Sequence, residues 1–132
     1  MIIVDSNVVI DIATNDARWG DWSFRALEQA VATDHAVIND VIYAELSAGY
    51  RHSDLLEAAL KGLRIGYAQI PRVSLFLAGH AFRRYRRQRG TKIGVLPDFF
   101  IGAHAFVADA KVLTRDPDFV TRYFPTVTLI SP

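Results

Sequence analysis

The sequence predicts an α/β fold: a central, mostly parallel sheet of four or five short strands, flanked by helices on both faces. Short β-branched runs alternate with longer stretches whose apolar residues recur at helical spacing, the pattern of strands joined by crossover helices. Apolar residues make up 51% and charged residues 22% of 132, a globular composition. No repeat, low-complexity tract or Pro/Gly-rich linker divides the chain, so one domain over 1–132 is expected.

Ile2-Ile3-Val4 reads as the first strand and ends in the turn Asp5-Ser6-Asn7. A helix begins within Val8 to Ile12. Asp21 is the expected N-cap of a second helix, with Phe24, Leu27, Ala30 and Val31 on one face. Ala36-Val37-Ile38 is the second strand. Asn39 or Asp40 then caps a helix that carries Val41, Ala44 and Glu45 and ends near Gly49. Another helix covers 53–63, with Leu55, Leu56, Ala59, Leu60 and Leu63 inward. The third strand runs from Ile65 to Ile70 and Pro71 ends it. A long helix follows from Val73 to Arg89, with the stripe Leu75, Ala78, Phe82 and Tyr85, and Gly90 stops it. Pro97 and Asp98 open the next helix, where Gly102, Ala103 and Ala105 allow close packing. Lys111 to Thr114 is a strand leading to Asp116-Pro117, and Thr126 to Ile130 is the last.

The absence of cysteine excludes disulfides, thiolate metal sites and a cysteine nucleophile. No apolar run approaches the ~20 residues of a membrane span, and Asp5 and Asp11 interrupt the only early apolar stretch, so no signal peptide is read. A soluble cytoplasmic protein is the expectation. The net charge of +1 conceals an asymmetry: residues 1–57 carry ten acids and three arginines, whereas 58–97 carry nine bases, Arg89 and Lys92 among them, and no acid. Such a split suggests a cation site beside a phosphate-binding surface, or simply solvated helix faces.

In a parallel sheet, ligands bind beyond the carboxyl ends of the strands. Asp5 and Asp116 follow strands, while Glu45 and Asp98 lie early in helices that start at the same edge. Four acids 40, 53 and 18 residues apart could therefore converge. Each also has an ordinary reading: Asp98 and Asp116, beside prolines, are sound helix caps, and Glu45 suits an exposed helix face. Asp5 is harder to place, because a carboxylate at the end of a buried strand needs a partner. Converged carboxylates repel and need protons or a cation. An oxygen-only donor set suits Mg²⁺ or Mn²⁺. Ser6, Asn7 and Thr114 can hydrogen-bond to the acids or to water, or serve as turn residues.

These residues resemble the PIN domains. Ile3-Val4-Asp5-Ser6-Asn7 is similar to the family's opening motif and Tyr43-Ala44-Glu45-Leu46 to its second. Leu96-Pro97-Asp98 with Ile101-Gly102-Ala103-His104-Ala105 is similar to the third, and Leu113-Thr114-Arg115-Asp116 with Asp118-Phe119 and Tyr123-Phe124-Pro125 to the fourth. Within the family the chain most resembles the VapC toxins of type II toxin–antitoxin pairs. The resemblance implies a Mg²⁺- or Mn²⁺-dependent endoribonuclease with Asp5, Glu45, Asp98 and Asp116 as metal-binding acids and Thr114 in support. It also implies a VapB-like antitoxin and a homodimer. In that chemistry the metal activates a water, a carboxylate takes its proton, and cleavage leaves a 5′-phosphate and a 3′-hydroxyl.

Arg83, Arg84 and Arg87 could contact RNA phosphates, an antitoxin or only water. Arg115 could touch phosphate or balance the acids. His104 is expected to pack, and His35, His52 and His80 show no ligand spacing. Asp109 lies about 16 Å along the helix from Asp98, too far to share an ion. Asp16, Asp40 and Asp54 read as caps, Asp11 and Asp118 receive no catalytic role, and Trp19 and Trp22 are expected to pack or meet a partner. Competing readings are a PIN nuclease of RNA processing, a haloacid-dehalogenase-like phosphatase (which would need an acid where Asn7 stands), a receiver domain, and a non-catalytic RNA-binding module.

Overall fold

The computed structural model describes residues 1–88, 90–91 and 94–132. Arg89, Lys92 and Ile93 lie outside the described residues, and with them the predicted helix end at Arg89 and two of the nine basic charges. The chain runs β1 (Ile2–Val4), α1 (Ser6–Ala13), α2 (Gly20–Thr33), β2 (Ala36–Ile38), α3 (Asp40–Ser47), α4 (Ser53–Gly62), β3 (Gly66–Tyr67), α5 (Arg72–Arg87), α6 (Leu96–Ala108), β4 (Lys111–Leu113), α7 (Asp118–Tyr123) and β5 (Leu129–Ile130).

The strands form one parallel sheet in the order β3-β2-β1-β4-β5. β1 is central, with Ile3 opposite Val37 on one side and Val112 on the other. A central parallel strand is covered on both faces, so all three of its residues must be apolar, and all three are buried. Connections from β1 to β3 step one way across the sheet and those from β3 to β5 step back. Right-handed crossovers therefore put α1–α4 on one face and α5–α7 on the other. The apolar clusters follow this division. One joins the strands to Val8, Leu27, Ile42, Leu56 and Leu60 of α1–α4, and the other packs α5, α6 and α7 around Phe99. α6 serves both, through Ile101 and Ala105 in the first and Phe99 and Ala103 in the second.

Several local expectations shift. The second helix starts at Gly20, and the cap is not Asp21: Asp16 upstream accepts from the backbone N–H groups of Arg18 and Trp19 at 3.0 and 2.7 Å. Asp40 is no cap either, because Asn39 takes that place and accepts from the Ile42 N–H at 3.0 Å. Asp40 instead accepts from the Tyr67 hydroxyl and from the Ile70 N–H. The predicted strand 65–70 shrinks to Gly66–Tyr67 because its partner β2 ends at Ile38, whose O accepts from the Ala68 N–H, while the Ile65 N–H is taken by Leu60 O. Leu55 and Leu75 are exposed rather than inward. The buried face of α5 is Ser74, Ala78, Ala81 and Tyr85; its small side chains let α5 approach α6.

Gly102 is where α6 needs a glycine, since a Cβ there would lie 2.4 Å from the Phe124 ring. Phe124 is itself buried and has little room to yield. Gly102→Ala should lower stability by about 1–3 kcal/mol, the range for overpacking a core, and chemical denaturation will read it. Unchanged stability would mean that Phe124 swings aside freely. Among the described residues, no helix is long and apolar enough to cross a membrane.

Candidate active site

The strand order decides where a site belongs. The chain leaves β1 toward β2 and returns on its other side as β4, so the crevice beyond the carboxyl ends of β1 and β4 is the topological switch point. Asp5 is the first residue after β1 and Thr114 the first after β4. The Asp5 N–H donates to Leu113 O at 2.9 Å, which prolongs the ladder to the rim of the crevice.

The Asp5 side chain is held from three directions. The Thr114 hydroxyl donates to its Oδ2 at 2.7 Å and the Asn7 amide to the same oxygen at 3.0 Å. Asn7 also donates to Thr114 Oγ1 at 3.1 Å, as does the Asp116 N–H at 3.0 Å. The Ser6 hydroxyl stands between two acids, 3.4 Å from Asp5 Oδ1 and 3.3 Å from Glu45 Oε1. A hydroxyl has one proton and can satisfy one carboxylate at a time.

Both acids are consequently reluctant to ionise. Burial pushes the Asp5 carboxyl above its ordinary value; the hydrogen bonds from Thr114 and Ser6 act the other way, and the charge of Asp116 adds to the rise. Burial likewise raises Glu45, with the charge of Asp5 as the second cause. Asp98 stands partly exposed in the first turn of α6, its N–H donating to Val95 O at 3.0 Å. Neither Asp98 nor Asp116 caps a helix. The N-caps are Val95 for α6 and Pro117 for α7, without a side-chain cap bond in either. Their capping explanation therefore falls away.

The structure thus joins Asp5, Glu45, Ser6, Asn7 and Thr114 and sets Asp116 within electrostatic reach of Asp5. Among the described residues, no group of three acids or histidines forms a ready-made cage for an ion. The donor set nevertheless fits a hard divalent cation. Mg²⁺ takes only one or two carboxylates and completes its shell with water and substrate phosphate, and Asp5 and Glu45 form no ion pair with a basic side chain among the described residues.

The model of the PIN domain family matches residues 2–125. The chain belongs to the PIN domains. PIN domains are nucleases as a family. No curated protein sequence gives a significant match. Among solved structures, VapBC2 of Rickettsia felis, bound to a DNA fragment from its promoter, is similar with a TM-score of 0.74 at 21% identity, over 99% of this chain and 98% of that one. VapBC-1 of nontypeable Haemophilus influenzae gives 0.72 at 20% identity, again over 99% and 98%. A toxin–antitoxin complex from Klebsiella pneumoniae gives 0.68 at 19%, over 98% and 96%.

Outside its acidic crevice this PIN domain holds a buried acid to which the sequence assigns no catalytic role. Asp11 on α1 is only 2% exposed; it accepts from the Ser23 hydroxyl and from Arg115 Nε, both at 2.8 Å. The signal was present, because Asp11 is the lone charge in Val8-Val9-Ile10-Asp11-Ile12-Ala13. Arg115 thus has an acid partner within the fold through Nε, with 34% of its side chain still in solvent. It pairs with Asp11, and its guanidinium lies 5.9 Å from the Trp19 ring centre. Trp19 packs edge-on against Trp22. The pair ties the loop that carries Thr114 and Asp116 to α1 and α2. Arg83, Arg84 and Arg87 lie on the last turns of α5, with Arg84 over the Tyr123 ring at 5.4 Å.

His104 packs in the PIN core as expected, 2% exposed, but with a specific partner: its Nδ1 lies 3.2 Å from Asn39 Nδ2. Burial lowers its pKa below the ordinary 6.5, with Asp40 opposing. The unfolded chain then binds the proton more tightly, so this contribution to stability is full above about pH 6.5 and is lost as pH falls. The stability difference between the parent and His104→Gln should shrink on going from pH 7.5 to 5.5 in urea titrations. A difference constant with pH would show that His104 does not titrate in this way.

Proposed function

We propose that this PIN domain is a Mg²⁺- or Mn²⁺-dependent endoribonuclease, and that it is the toxin of a VapBC-type pair, arresting growth by cutting RNA. The observation that carries the reading is the pair Asp5 and Glu45, bridged by Ser6 at the switch point and raised in proton affinity. Asp5 and Glu45 would hold the ion, with Asp98 and Asp116 completing the acidic set. The ion, when bound, neutralises the scissile phosphate and lowers the pKa of a water.

The chain's own groups account for the rest. Thr114 and Asn7 hold Asp5 through Oδ2 and so fix the carboxylate that would meet the ion. One carboxylate of the acidic set helps to remove the proton of the attacking water. Attack by an external water leaves a 5′-phosphate and a 3′-hydroxyl. Arg83, Arg84 and Arg87 would hold flanking phosphates. A VapB-like antitoxin, a homodimer and a cytoplasmic setting complete the reading; the likeness to VapBC complexes supports the antitoxin.

A mixed RNA pool incubated with Mg²⁺ or Mn²⁺, with EDTA, and with Asp98→Asn tests the proposal. Metal-dependent cuts with 5′-phosphate ends, absent in the variant, are expected. Cuts that persist in EDTA or in Asp98→Asn would refute the mechanism. Growth arrest on induction of the parent, relieved in Asp98→Asn, is the expectation for the toxin role; unimpaired growth would leave a nuclease of RNA processing.

A further inference from the structure

We propose that the buried Asn39–His104 pair is a positioning device that clamps α3 to α6 and so sets the placement of Glu45 against Asp98. The proposal rests on the acidic-site reading above. Asn39 is fully buried and His104 nearly so. The Asn39 side chain has no orientational freedom. Its Oδ1 accepts from the Ile42 N–H as the cap of α3, which turns Nδ2 toward His104. An amide nitrogen only donates, so Nδ1 of His104 must accept, and the ring proton sits on Nε2. One side chain therefore both starts the helix of Glu45 and holds the helix of Asp98.

The two arms of the clamp are equal. Glu45 is six residues beyond Asn39, and Asp98 six residues before His104. Each acid is thus about 9 Å of helix from the pin. α3 and α6 come from different crossovers and opposite faces of the sheet, so β-ladder hydrogen bonds do not relate them directly. The apolar contacts between them are non-directional. A buried hydrogen bond supplies the directional restraint that such contacts lack, and leaving one side unpaired is unfavourable at so buried a position.

Loss of the acceptor should therefore show in the ion site before it shows in folding. The test measures Mn²⁺ binding by calorimetry and single-turnover RNA cleavage for the parent, His104→Phe, His104→Gln and Asn39→Ser. His104→Phe fills the space without an acceptor. His104→Gln offers Oε1 to the Asn39 amide. Asn39→Ser keeps a capping oxygen but cannot reach His104. The expected result is a fall of about 10- to 100-fold in Mn²⁺ affinity and single-turnover rate for His104→Phe and Asn39→Ser, the size usual when a group that orients a metal ligand is lost. RNA affinity without metal should be unchanged, and His104→Gln should recover most of the loss.

If the parent binds Mn²⁺ and cuts RNA, and the folded variants match it, the pair is only structural and the proposal is wrong. Equal defects in His104→Phe and His104→Gln would overturn it as well, since the acceptor would then be irrelevant. Should His104→Phe fail to fold, Asn39→Ser and His104→Gln still decide the matter. If the parent itself neither binds Mn²⁺ nor cuts, the acidic-site reading fails, and this proposal falls with it.

Discussion

Asp5→Asn should abolish cleavage while making the protein more stable. The loss of activity is expected to reach at least about a thousandfold, or ~4 kcal/mol of transition-state stabilisation, if an ion acts through this carboxylate. The gain in stability follows from the resting site. Asp5 is raised above its ordinary 3.8 by burial and by Asp116. A carboxyl more basic in the folded state than in the unfolded one favours folding when protonated, and its ionisation opposes folding as pH rises above about 4. That penalty grows as pH rises from the ordinary value through the folded one.

The amide removes it without breaking the local network. The oxygen of the new amide would still accept from Thr114 and Asn7. Its nitrogen would donate to Ser6, freeing the Ser6 hydroxyl for Glu45 alone. Thermal unfolding at pH 7 should move up by a few degrees, and the advantage should vanish near pH 4. Mg²⁺ should raise the melting temperature of the parent but not of the variant, because an ion that binds the folded form alone stabilises it by mass action. A variant that melts lower than the parent at pH 7 would show that the carboxylate is not strained.

The second large effect is expected at Arg115. Arg115→Ala leaves Asp11 buried with only the Ser23 hydroxyl. Breaking a buried pair from one side is strongly destabilising. About 3 kcal/mol is expected here, the low end of that range, because the Arg115 side chain keeps 34% of its surface in solvent. Asp11→Asn should lose less, since the amide still meets Ser23 and the arginine can turn to water. Replacing both, as Asp11→Leu with Arg115→Met, should recover most of the loss. Urea denaturation of the three variants gives the ordering. If Asp11→Asn proves as harmful as Arg115→Ala, the buried charge is not the cause.

The elements that were legible in the sequence are those in which one cause dominates. Ile2-Ile3-Val4 and Ala36-Val37-Ile38 are too apolar and β-branched to be anything but buried strands, and both sit at the middle of the sheet. Pro71, Pro97 and Asn39 mark helix starts through fixed φ or side-chain capping, and those starts stand within a residue or two. The misplaced elements are those decided by distant partners. The third strand is short because its partner β2 ends at Ile38, and beyond it the Ile70 N–H is held by Asp40, thirty residues earlier. The inward face of α5 is turned away from Leu75 because packing on α6 favours small residues over large ones.

The site divides in the same way. Asp5, Ser6 and Asn7 are contiguous, and Thr114 follows an evident strand, so their meeting could be read from strand order. The Arg115–Asp11 pair and the Asn39–His104 bond span 104 and 65 residues; the lone charge of Asp11 in an apolar run calls for a partner, but nothing local points to Arg115 or joins Asn39 to His104.

The order of the strands also bears on when this protein can act. β1 is made first, yet it is flanked on one side by a strand that begins at Lys111, and the hydroxyl that aligns Asp5 belongs to Thr114, 109 positions later. At ~5–20 residues per second, a ribosome needs roughly 5–20 s to travel from one to the other. Throughout that interval the first half of the sheet has an open edge, and Asp5 has neither its neighbour strand nor its Thr114 partner. A domain built on this plan has its acidic crevice unassembled until β4 and Thr114 have left the ribosome, so the order of synthesis itself delays the site.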